Sequence, residues 1–218
     1  MDTTALLETL PVAPLKLPEG SAYCADRPLT VEEFFELVDE DTAAELVDGV
    51  VIMGSPASTR HEILFAFLMH LFREYVERKG LGIVLGSRVL VRIDPYNARE
   101  PDLVFVAAGR EEIIREQEIA GAPDLILEII SPWDKPREVI AKQAQYEQIG
   151  VREYWRIDLP KREATVWRLQ QGGRYVRTAP EEGILRSEVV EGFRLREEWL
   201  WREPGKFPAV QAVMEELS

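Results

Sequence analysis

Cysteine and histidine, the residue types that build many catalytic and metal sites, are scarce in this sequence. Its 218 residues include one cysteine, Cys24, and two histidines. A single cysteine excludes a disulfide within the chain and fits a reducing compartment, so we expect a cytoplasmic protein. So few nitrogen and sulfur ligands also argue against a zinc site.

Long apolar runs are absent as well. No stretch of about 18 apolar residues is present, as a membrane-spanning helix would require. The first residues lack the basic start and the apolar segment of a signal peptide. Neither a G-x-S-x-G motif nor a P-loop is present, so two common kinds of hydrolase are not indicated. The sequence therefore predicts no membrane partner.

Positive charge is the third deficit. Lysine and arginine number 26 against 39 aspartates and glutamates, which gives a net charge of −13. Proteins that bind duplex DNA usually present a basic face, so this charge is the main objection to a nucleic-acid enzyme. One stretch of the chain has enough cations for a local basic face, although an ordinary solvated surface is the commoner alternative. These cations are Arg73, Arg78, Lys79, Arg88, Arg92 and Arg99.

Hydrophobic residues make up 46% and charged residues 30%, a composition typical of a globular protein. The alternation of predicted helices and strands indicates an α/β fold. We predict a flexible tail over residues 1–27, one domain over 28–190 and a C-terminal extension over 191–218. Thr30 with Glu33 has capping-box spacing, Asp48-Gly49 indicates a hairpin, and Ser58 can cap a long helix that ends at Lys79. Further strands are predicted at 82–93, 102–107, 124–130, 152–158, 163–169 and 174–178, with helices at 136–149 and 208–217 and an otherwise irregular segment after 186.

Two carboxylates are unusual in these apolar strands. Asp102 opens one strand and Glu128 lies inside another, although a buried carboxylate is costly without a partner. Lys142 shares a helix face with Val139 and Tyr146, so it either extends to solvent or pairs with Glu128. The alternative for Glu128 is a strand with one wet face. If the two carboxylates and the lysine come together, the site suits Mg²⁺ and phosphate chemistry.

Motifs around these residues resemble a known nuclease group. Pro101-Asp102 followed by Glu128-Ile129-Ile130 is similar to the PD-(D/E)XK nuclease superfamily. Six segments, which together span roughly residues 30–170, resemble the Uma-type restriction endonuclease family more closely. They are ELVDG (45–49), SPASTRH (55–61), EPDLVFV (100–106), GAPDLILEIISP (121–132), KQAQY (142–146) and GVREYWRID (150–158).

The resemblance implies a restriction-endonuclease-like core: a mixed central β-sheet flanked by helices, with an added N-terminal helix and β-hairpin. It also implies that Asp102, Glu128 and the backbone carbonyl of Ile129 hold Mg²⁺, which Mn²⁺ can replace, and that DNA is the substrate. Ile130 departs from the superfamily pattern because it occupies the lysine position. In the closer family the lysine of K-x-x-x-Y replaces it, which here is Lys142.

Two further residues gain roles from the resemblance. Glu45 is implied to support the metal directly or through water, and its alternative is an exposed hairpin glutamate. His61 lies in the first turn of the long helix and is implied to contact phosphate or assist proton transfer. Its alternative is a packing or capping histidine.

Three functions follow as hypotheses. The first is a Mg²⁺-dependent endonuclease that hydrolyses DNA phosphodiester bonds, with Asp102, Glu128, Lys142 and Glu45 as catalytic residues. The second is a catalytically inactive binding module with the same fold, which the acidic charge and the displaced lysine favour. The third is a hydrolase of small phosphoesters. A homodimer whose interface uses Phe193, Trp199 and Trp201 is a further hypothesis.

Overall fold

The computed structural model describes residues 20–39, 41–86 and 88–217. The chain divides into two compact units, the first formed by Met1–Pro56 with Asp94–Arg99 and the second by Ala57–Ile93 with Glu100–Ser218. Most of the predicted tail, residues 1–19, lies outside the described residues. The boundaries predicted at residues 27 and 190 stay a prediction.

The helices are α1 Val31–Leu37, α2 Thr59–Lys79, α3 Pro136–Ile149, α4 Glu197–Leu200 and α5 Val210–Leu217. The strands are β1 Ala22–Tyr23, β2 Ala44–Val47, β3 Val50–Met53, β4 Gly82–Gly86, β5 Leu90–Asp94, β6 Asn97–Arg99, β7 Leu103–Ala107, β8 Glu118–Ile119, β9 Leu125–Ile130, β10 Glu153–Asp158, β11 Glu163–Leu169, β12 Tyr175–Thr178, β13 Ile184–Arg186 and β14 Arg194–Arg196. None of the helices in the described ranges is long and apolar enough to cross a membrane.

The first unit contains α1 and an antiparallel arrangement of β1, β3, β2 and β6. Thr30 and Glu33 form the predicted capping box at the start of α1. Asp48 and Gly49 connect β2 to β3 with φ angles of 51° and 74°. Two successive positive φ angles are what a tight hairpin turn needs, so the hairpin prediction is confirmed.

The second unit is built on a six-stranded sheet in the order β12, β11, β10, β9, β7, β4. Only the β9–β10 pair is parallel, and the other neighbours are antiparallel. A parallel pair needs a crossover connection, which α3 supplies between β9 and β10. The sheet is therefore mixed, as predicted.

Side chains alternate between the two faces of β7 and β9. Leu103, Phe105 and Leu127 lie in a core cluster with α2, whereas Val104 and Ile126 lie in a second cluster with Tyr146 of α3. The sheet therefore has α2 on one face and α3 on the other. The helix predictions hold closely here: Ser58 accepts a bond from the His61 amide, and Gly80 and Gly150 end α2 and α3 in the left-handed region.

Two predicted elements were wrong in detail. The single strand expected over residues 82–93 is two strands, β4 and β5, and Arg88 between them has a φ of 68° that interrupts an extended run. The segment after residue 186 is not irregular, because β14 pairs with β13 and α4 follows directly. Short elements of three or four residues carry too little periodicity to be found from sequence.

The aromatic predictions also need correction. Phe193 is 1% exposed and Trp199 is 7% exposed, and both pack in the core of the second unit with α2. They are therefore not available for the predicted dimer interface, and Trp201 is partly buried against the same core. Trp133 is 78% exposed, because it lies in a turn after β9.

Gly49 provides a test of the hairpin. A Cβ at Gly49 would lie 2.5 Å from Pro28 Cβ and 2.6 Å from Pro28 Cα, and the residue has positive φ. We expect Gly49→Ala to lower the free energy of unfolding by roughly 2 kcal/mol or more. Gly172→Ala in the β11–β12 hairpin is the control, since a Cβ there meets nothing within 4 Å. Equal urea midpoints for the two variants would contradict this account.

Candidate functional site

Asp102 lies directly before β7, at the end of the β7–β9 ladder. Leu103 is the register partner of Leu127, so continuing the antiparallel register places Asp102 opposite Glu128. The Asp102 carboxylate accepts a hydrogen bond from the Ile129 amide through Oδ2 at 2.6 Å. The Asp102 carboxylate thus accepts a hydrogen bond that a backbone carbonyl would accept if the ladder continued. The Asp102 side chain is 21% exposed.

The backbone of Ile129 points its polar groups toward Asp102. In a strand the N–H and C=O of one residue point to the same neighbour, and the Ile129 N–H points to the β7 side. The next carbonyl, that of Ile130, accepts from Leu159 on the β10 side instead. The Ile129 carbonyl therefore faces the edge where Asp102 ends the ladder.

His61 reaches Asp102 from the first turn of α2. Its Nε2 lies 3.2 Å from Asp102 Oδ1 and its Nδ1 lies 3.2 Å from Glu62 Oε1. Burial acts to lower the pKa of His61, but the hydrogen bonds and charges of Asp102 and Glu62 outweigh it and raise the pKa to about 9. At neutral pH the ring is a cation held between two carboxylates.

Glu128 lies on the opposite sheet face from α2, with its side chain 7% exposed. Lys142 Nζ of α3 is 3.3 Å from Glu128 Oε1, which confirms the predicted pair. The buried Tyr146 donates its hydroxyl to the same oxygen at 2.7 Å. Tyr146 was predicted only as a helix-face residue, although its position four residues after Lys142 was the signal for this contact.

The sheet supplies a second cation and a second tyrosine near Glu128. Arg156 is the register partner of Glu128 on β10. Burial raises the pKa of Tyr154, and the charge of Glu128 raises it further, while Arg156 and Lys142 act in the opposite direction. Neither residue was found from sequence, because their proximity depends on the parallel β9–β10 register.

Glu45 belongs to the first unit, on β2. Its Oε2 lies 3.0 Å from Arg99 Nη1, and Arg99 is 1% exposed. The exposed-hairpin alternative is therefore wrong, since the glutamate is paired with a buried arginine. The structure thus brings Asp102, Ile129 and His61 into contact, and separately Glu128, Lys142 and Tyr146, all within the second unit.

Among the described residues, the cations between residues 73 and 99 favour the alternative of an ordinary charged surface over a basic face. Arg73 pairs with Glu77 and Arg78 with Glu74 along α2, while Arg92 pairs with the buried Glu118. Arg99 is buried against Glu45. These arginines form ion pairs with carboxylates. Side chains four residues apart on a helix, or opposite each other on strands, are close enough to pair whatever the function of the protein.

The donor set is suited to a hard cation. Among the described residues, no group of three or more histidines, cysteines or acids is placed to hold a metal ion. Mg²⁺ needs fewer protein ligands, since one or two carboxylates with waters and a substrate phosphate suffice. Asp102 uses one acceptor position on each oxygen for His61 and Ile129, and a carboxylate has about four. Asp102, Glu128 and the Ile129 carbonyl therefore offer the type of oxygen donor that Mg²⁺ prefers.

Comparison with known families decides the classification. The family model Uma2, described as "Putative restriction endonuclease", matches residues 31–198, which is well over half of the chain. The chain belongs to the Uma2 family. The resemblance seen in the six sequence segments is thereby confirmed, and the match includes all six proposed site residues.

A solved structure supports the fold of this Uma2 member. The chain is similar to a protein described as "a putative nuclease belonging to DUF820 from Anabaena variabilis", with 20% identity and a TM-score of 0.67. The match covers 80% of this chain and 98% of that chain. The restriction-endonuclease-like fold is confirmed. A search of curated proteins finds no match.

The His61–Asp102 contact predicts a pH dependence in the metal-free protein. The His61 pKa rises from about 6.5 in the unfolded chain to about 9 in the folded chain. The contact therefore stabilises fully below pH 6.5, and its contribution is lost as the pH rises through 9. The whole shift, to which both Asp102 and Glu62 contribute, corresponds to on the order of 3 kcal/mol.

Urea unfolding in EDTA between pH 6 and pH 10 measures this loss, and NMR of the imidazole protons gives the pKa directly. His61→Gln is the control, since it should flatten this part of the profile. A His61 ring that titrates near its ordinary pKa would refute the assignment.

Proposed function

We propose that this Uma2 protein is a Mg²⁺-dependent endonuclease that hydrolyses phosphodiester bonds in DNA. The observation that carries the proposal is the hydrogen bond from the Ile129 amide to Asp102, which gathers carboxylate and carbonyl oxygens at one strand edge. The family match supports the nuclease class. In the reaction a water attacks phosphorus and one P–O ester bond breaks, which leaves a phosphate monoester and a hydroxyl.

Asp102, Glu128 and the Ile129 carbonyl would hold the metal. Bound Mg²⁺ would lower the pKa of a coordinated water and offset negative charge on the phosphate. Lys142 is fixed beside Glu128 by its 3.3 Å contact. From that position its Nζ can orient the attacking water, and Tyr146 holds Glu128 in place from the buried side.

His61 and Glu45 have supporting roles in this proposal. His61 bonds Asp102 through Nε2, so it fixes the orientation of a metal-binding carboxylate before it could contact phosphate. Both of its ring nitrogens face carboxylates, and a phosphate contact would have to replace one of them. Glu45 is oriented by the buried Arg99 within the first unit, and its support of the metal stays a prediction.

A non-catalytic binding module is the second candidate. The observation in its favour is that each carboxylate already has a cationic partner, Asp102 in His61 and Glu128 in Lys142. Such pairs compensate the buried charge without a metal. This candidate predicts no tight Mg²⁺ binding, whereas the endonuclease predicts binding that depends on both carboxylates.

Removing either carboxylate charge tests the two candidates. We expect Asp102→Asn and Glu128→Gln each to lower Mg²⁺-dependent cleavage of plasmid and oligonucleotide DNA by at least about a hundredfold, because several kcal/mol of charge stabilisation are lost. Both amides can still accept the Ile129 or Tyr146 hydrogen bond, so the fold should persist. Asp124→Asn is the control, since Asp124 is a buried carboxylate at the other end of β9 that pairs with Arg110 and Arg152.

Calorimetry with Mg²⁺ and Mn²⁺ completes that test. Native protein that neither binds these ions nor cuts any DNA form would reject the endonuclease and favour the binding module. Cleavage that Asp124→Asn lowers as much as Asp102→Asn, at equal folded fraction, would reject the assigned residues.

Lys142 is tested by charge removal at constant length. We expect Lys142→Met to lower cleavage by roughly a hundredfold or more, within the range of a lost proton-transfer or water-orienting group, and to change the pH profile of the rate. Lys161→Met is the matched control, because Lys161 also pairs with one carboxylate, Asp158 at 2.6 Å, but is 69% exposed. An unchanged pH profile in Lys142→Met would show that the lysine acts only in packing.

A further inference from the structure

Trp133 is the most exposed large hydrophobic side chain in the described part of the molecule, at 78%. Tryptophan is usually well buried, because its large apolar ring gains much from leaving water. The other four tryptophans are buried or partly buried. An indole held in solvent is therefore available to a ligand.

The turn that carries Trp133 has its own hydrogen bonds. The Ser131 amide donates to Asp134 Oδ2 at 2.6 Å, and the Asp134 amide donates to the Ser131 carbonyl at 3.1 Å. The one acid inside the turn is thus used by its own backbone. Ser131 Oγ is buried and has no hydrogen-bond partner within the described ranges, so the turn also has an unsatisfied polar atom.

Two cations follow the turn, and the exposed acid Glu138 comes after them. Lys135 and Arg137 are exposed, and neither forms an ion pair with any described residue. Most arginines elsewhere in the described part of the chain are paired with carboxylates, as on α2. In a protein with a net charge of −13, unpaired cations beside an exposed indole make a local site for an anion with an aromatic group.

We infer that residues 131–137, here called the Trp133 loop, bind a single-stranded segment of the nucleic-acid substrate. Trp133 stacks on an unpaired base, and Lys135 and Arg137 contact the adjacent phosphates. The inference rests on the proposed function and deepens it, because it names DNA with unpaired bases as the substrate class. Aromatic stacking with a nearby cationic surface is the usual means of binding single strands.

The loop is placed to act with the carboxylates. It begins directly after β9, and Trp133 follows Glu128 by five residues, which limits their Cα separation to about 18 Å. The internal hydrogen bonds of the turn shorten this further. A base inside a duplex is already stacked on its neighbours, so a protruding indole can stack only on an unpaired or extruded base.

Binding without cleavage provides the test. Fluorescein-labelled oligothymidylate and a blunt-ended, two-stranded duplex of equal length are titrated with the full chain in EDTA, and anisotropy is recorded. We expect Trp133→Ala to weaken oligothymidylate binding roughly 5- to 100-fold, the range for one lost base stack. Trp133→Phe should keep most of the affinity, and duplex binding should change little.

Tyr96→Ala is the matched control, since Tyr96 is an exposed aromatic residue of the first unit, at 46%. Lys135→Ala with Arg137→Ala should reduce the salt dependence of oligothymidylate binding. Native protein that does not bind oligothymidylate, or equal affinity in native and Trp133→Ala protein, overturns the inference even if DNA is cut. A change in tryptophan fluorescence on addition of phosphatidylserine vesicles, with no change on addition of oligothymidylate, also overturns the inference in favour of a membrane contact.

The two proposals can fail separately. If Trp133→Ala loses oligothymidylate binding but no metal supports cleavage, the inference holds and the endonuclease does not. If cleavage requires Asp102 but is faster on duplex DNA and is unchanged in Trp133→Ala, the endonuclease proposal holds and the inference does not.

Discussion

The hydrogen bond from the Ile129 amide to the Asp102 carboxylate is the contact on which the candidate site depends. It forms because β7 begins at Leu103, opposite Leu127, while β9 continues to Ile130, so the Asp102 side chain supplies an acceptor that the β7 backbone does not. The same contact places Asp102 across from Glu128, and His61 then closes on the remaining Asp102 oxygen. A strand-end hydrogen bond thus gives the carboxylates their relative positions before any metal is considered.

Features set by neighbours in the chain were predictable from the sequence. The Thr30 capping box, the Asp48-Gly49 turn and the Gly150 helix end each depend on a few adjacent residues, and the structure has all three. The Lys142–Glu128 pair was also within reach, because a helix that follows a buried strand packs back on it. Tyr154 and Arg156 were not, since only the β9–β10 register brings them to Glu128.

Charge was the hardest property to interpret from sequence. A cluster of arginines along the chain suggested a basic face, yet α2 and the adjacent strands pair them with carboxylates. Conversely, Lys135 and Arg137 are only two cations in a mixed segment, and they matter because the described structure gives them no partner. The local field depends on which charges are paired, which the net charge of −13 does not reveal.

The single parallel pair in the main sheet has a consequence for how such a site can change. Because β9 and β10 run in the same direction, α3 must cross over the sheet face that carries Glu128. The cation that pairs with Glu128 therefore comes from the crossover helix, as Lys142, and not from the strand itself. A lysine on this helix can reach a strand carboxylate without any change in the sheet register.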